Sequence, residues 1–180
     1  MKTLVLTFGR LNPPTTGHAK LVDKVRTVAR LEKGDAAVYL SHSQDAKKNP
    51  LDYNTKVKFA QKAFGKIVIR STANTIIKVL QENEKKYDRV ILVVGSDRVE
   101  DFRKLLDKYN GKDYTFDEIE VVSAGERDPD ADDVSGMSAS KMRDLATKED
   151  FESFKTGLPT LLQKDARKVY DELRKGMKIK

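Results

Sequence analysis

Apolar positions along the 180-residue chain alternate between two spacings. Short apolar runs at Leu4–Phe8, Ala36–Leu40, Ile67–Ile69, Val90–Val94 and Ile119–Ser123 read as strands. Between them apolar residues return every three or four positions, which predicts helices over Gly17 to about Glu32, Thr55–Phe64, Thr75–Lys85 and Val99–Tyr109. Leu21, Val25, Val28 and Leu31 mark the inward stripe of the first helix, and Val57, Ala60 and Phe64 that of the second. Gly34 reads as the stop signal of the first helix. The unbroken run Val90–Val94 implies a strand covered on both faces and therefore central. A polar stretch, Ser41–Asn54, follows the second strand. From Ser138 onward the pattern is helical, most clearly over Asp165–Arg174.

Strands separated by helices predict an α/β fold: a doubly wound parallel sheet with right-handed crossovers and a helical C-terminal extension. The expected organisation is an α/β domain over residues 1–145, extended by helices over 146–180. Ligands of such sheets sit beyond the carboxyl ends of the strands. That rule places Gly9–His18, Ser41–Asn54, Gly95–Arg98 and the loop after Ser123 around one cleft.

Charge narrows the partner. Lys and Arg number 35 against 28 Asp and Glu, a formal +7, which suits an anion. Cysteine is absent, which removes disulfides, thiolate zinc sites and a cysteine nucleophile. Two histidines, His18 and His42, are too few for a His-rich metal site, so no resident metal is expected. The N-terminal apolar run is too short for a signal peptide, and no later segment is long and apolar enough to span a membrane. The expected location is the cytoplasm.

The chemistry concentrates in Phe8-Gly9-Arg10-Leu11-Asn12-Pro13-Pro14-Thr15-Thr16-Gly17-His18, between the first strand and the first helix. A strand, a glycine and proline turn, and a helix start form a natural phosphate site, because helix N–H groups and the dipole favour an anion. Gly9 lets backbone approach a ligand, Thr15 or Thr16 can cap the helix, and Gly17 keeps its first turn bare. His18 brings an imidazole to the same turn. The chain has neither a Walker phosphate loop nor GxGxxG, so the usual NTPase and dinucleotide readings fail. The consecutive acidic run from Glu126 to Asp133 reads as a solvated loop flanking the cleft, in preference to a paired-carboxylate metal site.

Thr15-Thr16-Gly17-His18, placed after the first strand, resembles the (T/H)xGH signature of the nucleotidyltransferase superfamily, whose members share a Rossmann-like fold. Ser138-Ala139-Ser140-Lys141-Met142-Arg143 is similar to that family's second signature, Ser-x-(Ser/Thr)-x-x-Arg at a helix start. The loop Ser41–Leu51 and Gly95-Ser96-Asp97-Arg98 look like their counterparts in archaeal-type nicotinamide-mononucleotide adenylyltransferases. Overall the chain resembles short nucleotidyltransferase-like proteins of large tailed phages, which would place it in a host cytoplasm.

The resemblance implies transfer of the NMP of an NTP, ATP foremost, to a phosphate-bearing acceptor, with nicotinamide mononucleotide the leading candidate and pyrophosphate released. It implies a catalytic set of His18, Thr15 and Arg143, Thr15 standing where some members have a first His. It implies nucleotide binding by Phe8, Gly9, Arg10, Asn12, Gly17, His18, Ser138, Ser140 and Arg143, and acceptor binding by His42, Lys47, Lys48, Gly95, Asp97 and Arg98. Magnesium would arrive with the triphosphate. A cytidylyltransferase, or another adenylyltransferase of the superfamily, is the enzymatic alternative. A non-catalytic nucleotide- or nucleic-acid-binding module is the alternative of a different class. Nucleic acid is disfavoured as a partner, since the few aromatics show no stacking pattern. A homo-oligomer is compatible with the sequence.

Overall fold

The computed structural model describes residues 1–125 and 137–179. Its strands are β1 (Thr3–Gly9), β2 (Asp35–Leu40), β3 (Val68–Ile69), β4 (Arg89–Val94) and β5 (Glu118–Ser123). Its α-helices are α1 (Thr16–Leu31), α2 (Tyr53–Phe64), α3 (Ile76–Asn83), α4 (Val99–Tyr109), α5 (Ala139–Thr147), α6 (Phe151–Thr156) and α7 (Ala166–Gly176). Several helix starts follow from local capping chemistry. Asp52 accepts from Thr55 N at 2.8 Å ahead of α2, Thr75 from Lys78 N at 3.1 Å ahead of α3, and Ser138 from Lys141 N at 3.1 Å ahead of α5. The acidic run 126–133 and Lys180 lie outside the described residues.

The five strands form one sheet in the order β3-β2-β1-β4-β5. β4 runs parallel to both β1 and β5, with Val5 opposite Ile91 and Leu92 opposite Val121. The fold is the expected Rossmann-like α/β architecture with helices at the C-terminus. The strand expected at the centre, β4, is interior, while β1 holds the middle position. The strand order reverses between β1 and β4, the switch point of such sheets. There Thr7 Oγ1 donates to Val93 O at 2.7 Å, tying the two strands just before their carboxyl ends.

The contacts divide the chain into two units. The first comprises Met1–Gly9, Leu21–Tyr39 and Ile69–Arg127, and the second Arg10–Lys20, Leu40–Val68 and Asp128–Lys180. In the first, alternate residues Leu4, Leu6, Val90, Leu92 and Val94 join Ile76, Val79 and Leu80 of α3 and Leu106 of α4 in one core. Residues of opposite parity, Val5, Ile91 and Val93, are also buried, as a sheet covered on both faces requires. Gly34 sits against β1: a Cβ there would meet Thr3 O at 2.7 Å. The left-handed residue that ends α1 is Lys33, at φ 55°, so Gly34 serves close approach more than the stop itself. Leu31 departs from the expected stripe. It is 73% exposed, and the buried residues of α1 are Val22, Val25 and Ala29.

The second unit is helical. Phe154, Leu158, Leu162, Val169 and Leu173 are buried, and Phe151 and Phe154 meet the Tyr170 ring edge-on at centroid distances of 5.2 and 5.4 Å. Arg174 of α7 donates to Ala146 O at the end of α5, and Lys62 of α2 pairs with Asp165 at 3.5 Å.

Candidate functional site

Within the second unit the chain after β1 is held in an unusual path. Leu11 has φ 44°, a left-handed conformation that a γ-branched residue seldom adopts, and its side chain is buried. Asn12 is fully buried, and both ends of its amide are used on one partner: Oδ1 accepts from Leu51 N at 2.9 Å and Nδ2 donates to Leu51 O at 3.2 Å. The sequence reading placed Asn12 among nucleotide-binding groups. Its side chain instead ties this segment to the end of the 41–54 loop, because a buried amide with both ends bonded has little left for a ligand.

The start of α1 follows. Thr15, 1% exposed, is the cap: its Oγ1 accepts from His18 N at 3.3 Å. Thr15 N donates in turn to His18 Nδ1 at 3.1 Å. In the neutral imidazole, a ring nitrogen that accepts a hydrogen bond carries no proton, so this contact selects the tautomer with the proton on Nε2. The half-buried ring thereby presents an N–H donor on its far side. The bare helix start expected from the sequence is partly filled, since Thr16 N donates to Gly157 O at 2.9 Å. α1 carries no acidic residue in its first turn.

The second signature belongs to the same unit, and two contacts tie the segments that carry the two signatures. Arg143 Nη1 donates to Asn12 O at 2.9 Å. Gly17 lies so near the chain entering α5 that a Cβ would fall 2.7 Å from Met137 O. Glycine at that place is a requirement of packing, in addition to leaving a helix start open. Ser138 is half-buried and spends its oxygen on capping α5, while Ser140 is exposed in that helix's first turn.

The electrostatics show what this cluster lacks. Burial lowers the Arg143 pKa, and the nearby Arg10 guanidinium lowers it further, with Asp45 acting in the opposite sense. Burial also pulls Lys56 down to about 8, and Arg10 again adds to the shift. Arg10 thus presses on two other cations. Among the described residues no carboxylate forms an ion pair with any of the three. Lys56 was missed by the sequence reading. Its signal was present, since Lys56, Ala60 and Ala63 fall on one face of α2 and Val57 lies beside them, all buried.

The acceptor-side residues fall in both units. In the second, Asp45 closes a tight turn by accepting from Lys47 N at 3.0 Å, Lys48 N at 2.7 Å and Asn49 Nδ2 at 2.8 Å. These bonds hold its carboxyl down at about 2. The Lys47 and Lys48 side chains are exposed, and His42 stacks on Tyr53 with centroids 3.7 Å apart. In the first unit, Phe8 and Gly9 end β1, and Gly95 leads from β4 into a single 3-10 turn, Ser96–Arg98. Arg98 N donates to Gly95 O at 3.0 Å, its guanidinium lies 5.4 Å from the centre of the Phe102 ring, and Asp97 is exposed. Among the described residues no side chain caps α4 at this point. A cavity of about 460 Å³ between α2 and α7, lined by Thr55, Lys58, Gln61, Lys62, Lys168 and Glu172 among others, contains none of the signature residues. Among the described residues no group of three or more His, Asp or Glu stands where it could hold a metal ion. No described helix is long and apolar enough to cross a membrane.

A family model described as cytidylyltransferase-like matches residues 6–145 of the chain, a span that takes in both signatures. No curated protein has a sequence that matches this one. Among solved structures, the chain superposes on TmcAL of Thermotoga maritima in its apo form with a TM-score of 0.60 and 12% identity, covering 96% of this chain and 57% of that one. The same protein bound with alpha-thio ATP gives a TM-score of 0.60 and 13% identity, covering 96% and 56%. At that identity the likeness is one of fold, and the chain spans little more than half the length of its neighbour.

Proposed function

Because the chain belongs to the cytidylyltransferase-like family, we propose that it is a nucleotidyltransferase that moves the NMP of ATP to a phosphate-bearing acceptor and releases pyrophosphate. The observation that carries this reading is the convergence of both signatures in one unit. Arg143 of α5 bonds Asn12 O ahead of α1, Gly17 in the first turn of α1 packs on Met137 O ahead of α5, and Arg10 repels both Arg143 and Lys56. Such a cluster is stabilised by a polyanion. That TmcAL has been captured with alpha-thio ATP supports ATP as the nucleotide.

The residue types suit the reaction. An acceptor phosphomonoester has a second pKa near ~6, so at neutral pH it is already mostly the dianion and needs no protein base. One of its oxygens attacks the α-phosphorus of ATP, and the bond from that phosphorus to the bridging oxygen breaks, so its electrons leave with pyrophosphate. The protein's work is to align the phosphates and stabilise the charge that builds on them. His18, oriented by Thr15, donates from Nε2 to a phosphate oxygen. Arg10 and Arg143 bind the triphosphate, and Arg143 is aimed by its bond to Asn12 O. Ser138 and Ser140 lie at the start of α5, where hydroxyls and helix N–H groups suit the β- and γ-phosphates. In this reading magnesium arrives with the nucleotide as the Mg·ATP complex, since Mg²⁺ keeps several waters and is commonly carried by substrate phosphates.

Nicotinamide mononucleotide is the proposed acceptor. Its support is the likeness of Ser41–Leu51 and Gly95–Arg98 to the archaeal-type enzymes, with His42, Lys47 and Lys48 as the acceptor-side groups of the second unit. The test is pyrophosphate release with ATP and with CTP against nicotinamide mononucleotide, nicotinate mononucleotide, phosphopantetheine, phosphocholine and glycerol phosphate. Release that requires nicotinamide mononucleotide and yields NAD supports the full reading. Release with a different pair retains the transferase and replaces the substrate. Tight ATP binding without release from any pair favours a binding module.

A further inference from the structure

Lys56 is the one fully buried lysine among the described residues, at 0% exposure. Its ammonium donates to Ser41 O at 2.7 Å and contacts Ser41 Oγ at 3.3 Å. Among the described residues no carboxylate pairs with it, and the charge that bears on it is a cation, Arg10. A buried charge without a counter-ion costs several kcal/mol and is normally neutralised, paired or replaced. Ser41 is the first residue after β2, where the 41–54 loop begins, and Asn12 holds Leu51 near that loop's other end. The Lys56 ammonium thus holds one end of the loop while sharing Arg10 with Arg143.

We propose that Lys56 is a positioning residue: its buried ammonium finds its counter-charge in the bound triphosphate and, through Ser41, fixes the start of the acceptor-side loop when the site is filled. This inference rests on the nucleotide reading above. Its chemistry makes ATP binding proton-linked in a window where ATP phosphates are already deprotonated. The free protein loses the Lys56 proton near pH 8, and a bound polyanion raises that value. Among the described residues the charge that bears on Lys56 is Arg10, and the nearest titratable ring of the loop is His42, which follows Ser41 and stacks on Tyr53 one helical turn before Lys56.

The experiment is calorimetric titration of Mg·ATP at pH 7.5, 8.5 and 9.5, each in two buffers of different ionisation enthalpy, with wild type, Lys56→Met and Lys56→Arg. Wild type is expected to take up about half a proton at pH 8.5 and to lose affinity roughly tenfold from pH 7.5 to 9.5. Lys56→Met is expected to bind roughly tenfold more weakly at pH 7.5 and to show no added pH dependence or uptake. Lys56→Arg, which keeps the charge, should hold its affinity across the range. Proton uptake in wild type needs no variant, so a misfolded Lys56→Met leaves the test intact. ATP binding with no proton uptake, or with the same pH profile in wild type and Lys56→Met, overturns the role of Lys56 and leaves the nucleotide site standing. No ATP binding by wild type overturns both.

Discussion

A single methyl group at Gly17 tests how the two signatures are joined. A Cβ there lies 2.7 Å from Met137 O, where ordinary contact begins at 3.4 Å. The neighbour is a backbone carbonyl and cannot rotate aside as a side chain would. The Met137 peptide must therefore shift by roughly 0.7 Å, in a packed region that resists such movement. Inside a helix, Gly→Ala by itself would stabilise by about 0.5–1 kcal/mol. Overpacking of this kind costs about 1–3 kcal/mol. The clash outweighs the propensity gain, and Gly17→Ala is expected to lose about 1–2 kcal/mol of stability in urea unfolding at 25 °C. Met137 precedes Ser138, the cap of α5, so its displacement also carries Arg143 away from Asn12 O. Calorimetry on the folded variant should then show ATP binding weakened by roughly tenfold, about 1.4 kcal/mol. A variant as stable as wild type, with equal ATP affinity, would refute both the close approach and its role in aligning the site.

Three other outcomes follow from the same geometry. His18→Ala should lower kcat by roughly two to three orders of magnitude with little change in ATP affinity, as for the loss of one transition-state donor; unchanged turnover removes His18 from the chemistry. Asn12→Ala leaves the Leu51 N–H and C=O without their partners, and should cost about 2–4 kcal/mol in urea unfolding, whether or not nucleotide is present. A loss below half a kcal/mol would show that the tie contributes little. The Lys56 pKa is about 8 in the folded chain against the ordinary 10.5, so between these values the unfolded chain binds more protons and rising pH favours folding. Relative to Lys56→Met, wild type should gain up to about 3 kcal/mol from pH 8 to pH 10.5. A constant difference across that window would mean that Lys56 is not buried as charged ammonium below pH 8.

Much of this protein is legible from neighbouring positions in the chain. The strands β1, β2, β4 and β5 and the helices α1, α2 and α4 follow from apolar spacing, and the α2, α3 and α5 starts follow from caps three residues away. These signals are local: a period of two or of 3.6 and a side chain reaching its own backbone need no knowledge of the fold. The residue types of a phosphate site are equally visible, since Gly17, His18 and Arg143 stand in fixed spacings.

What the sequence alone could not decide depended on partners far along the chain. Leu31 is on the helical stripe yet exposed, because no neighbouring surface covers it at the end of α1. Asn12 carries the chemistry of a ligand group but is spent on Leu51, 39 residues away. Gly17 owes its place to Met137, and Arg143 finds its aim 131 residues away at Asn12 O. Lys56 reads locally as one more surface lysine among many. Tertiary packing buries its charge and sets its ammonium on Ser41 O, and Arg10, which follows β1, bears on that charge. Sequence determined the elements and the kinds of groups that could meet phosphate. Tertiary structure decided which of them are available, because burial and hydrogen-bond satisfaction are properties of contacts between distant segments.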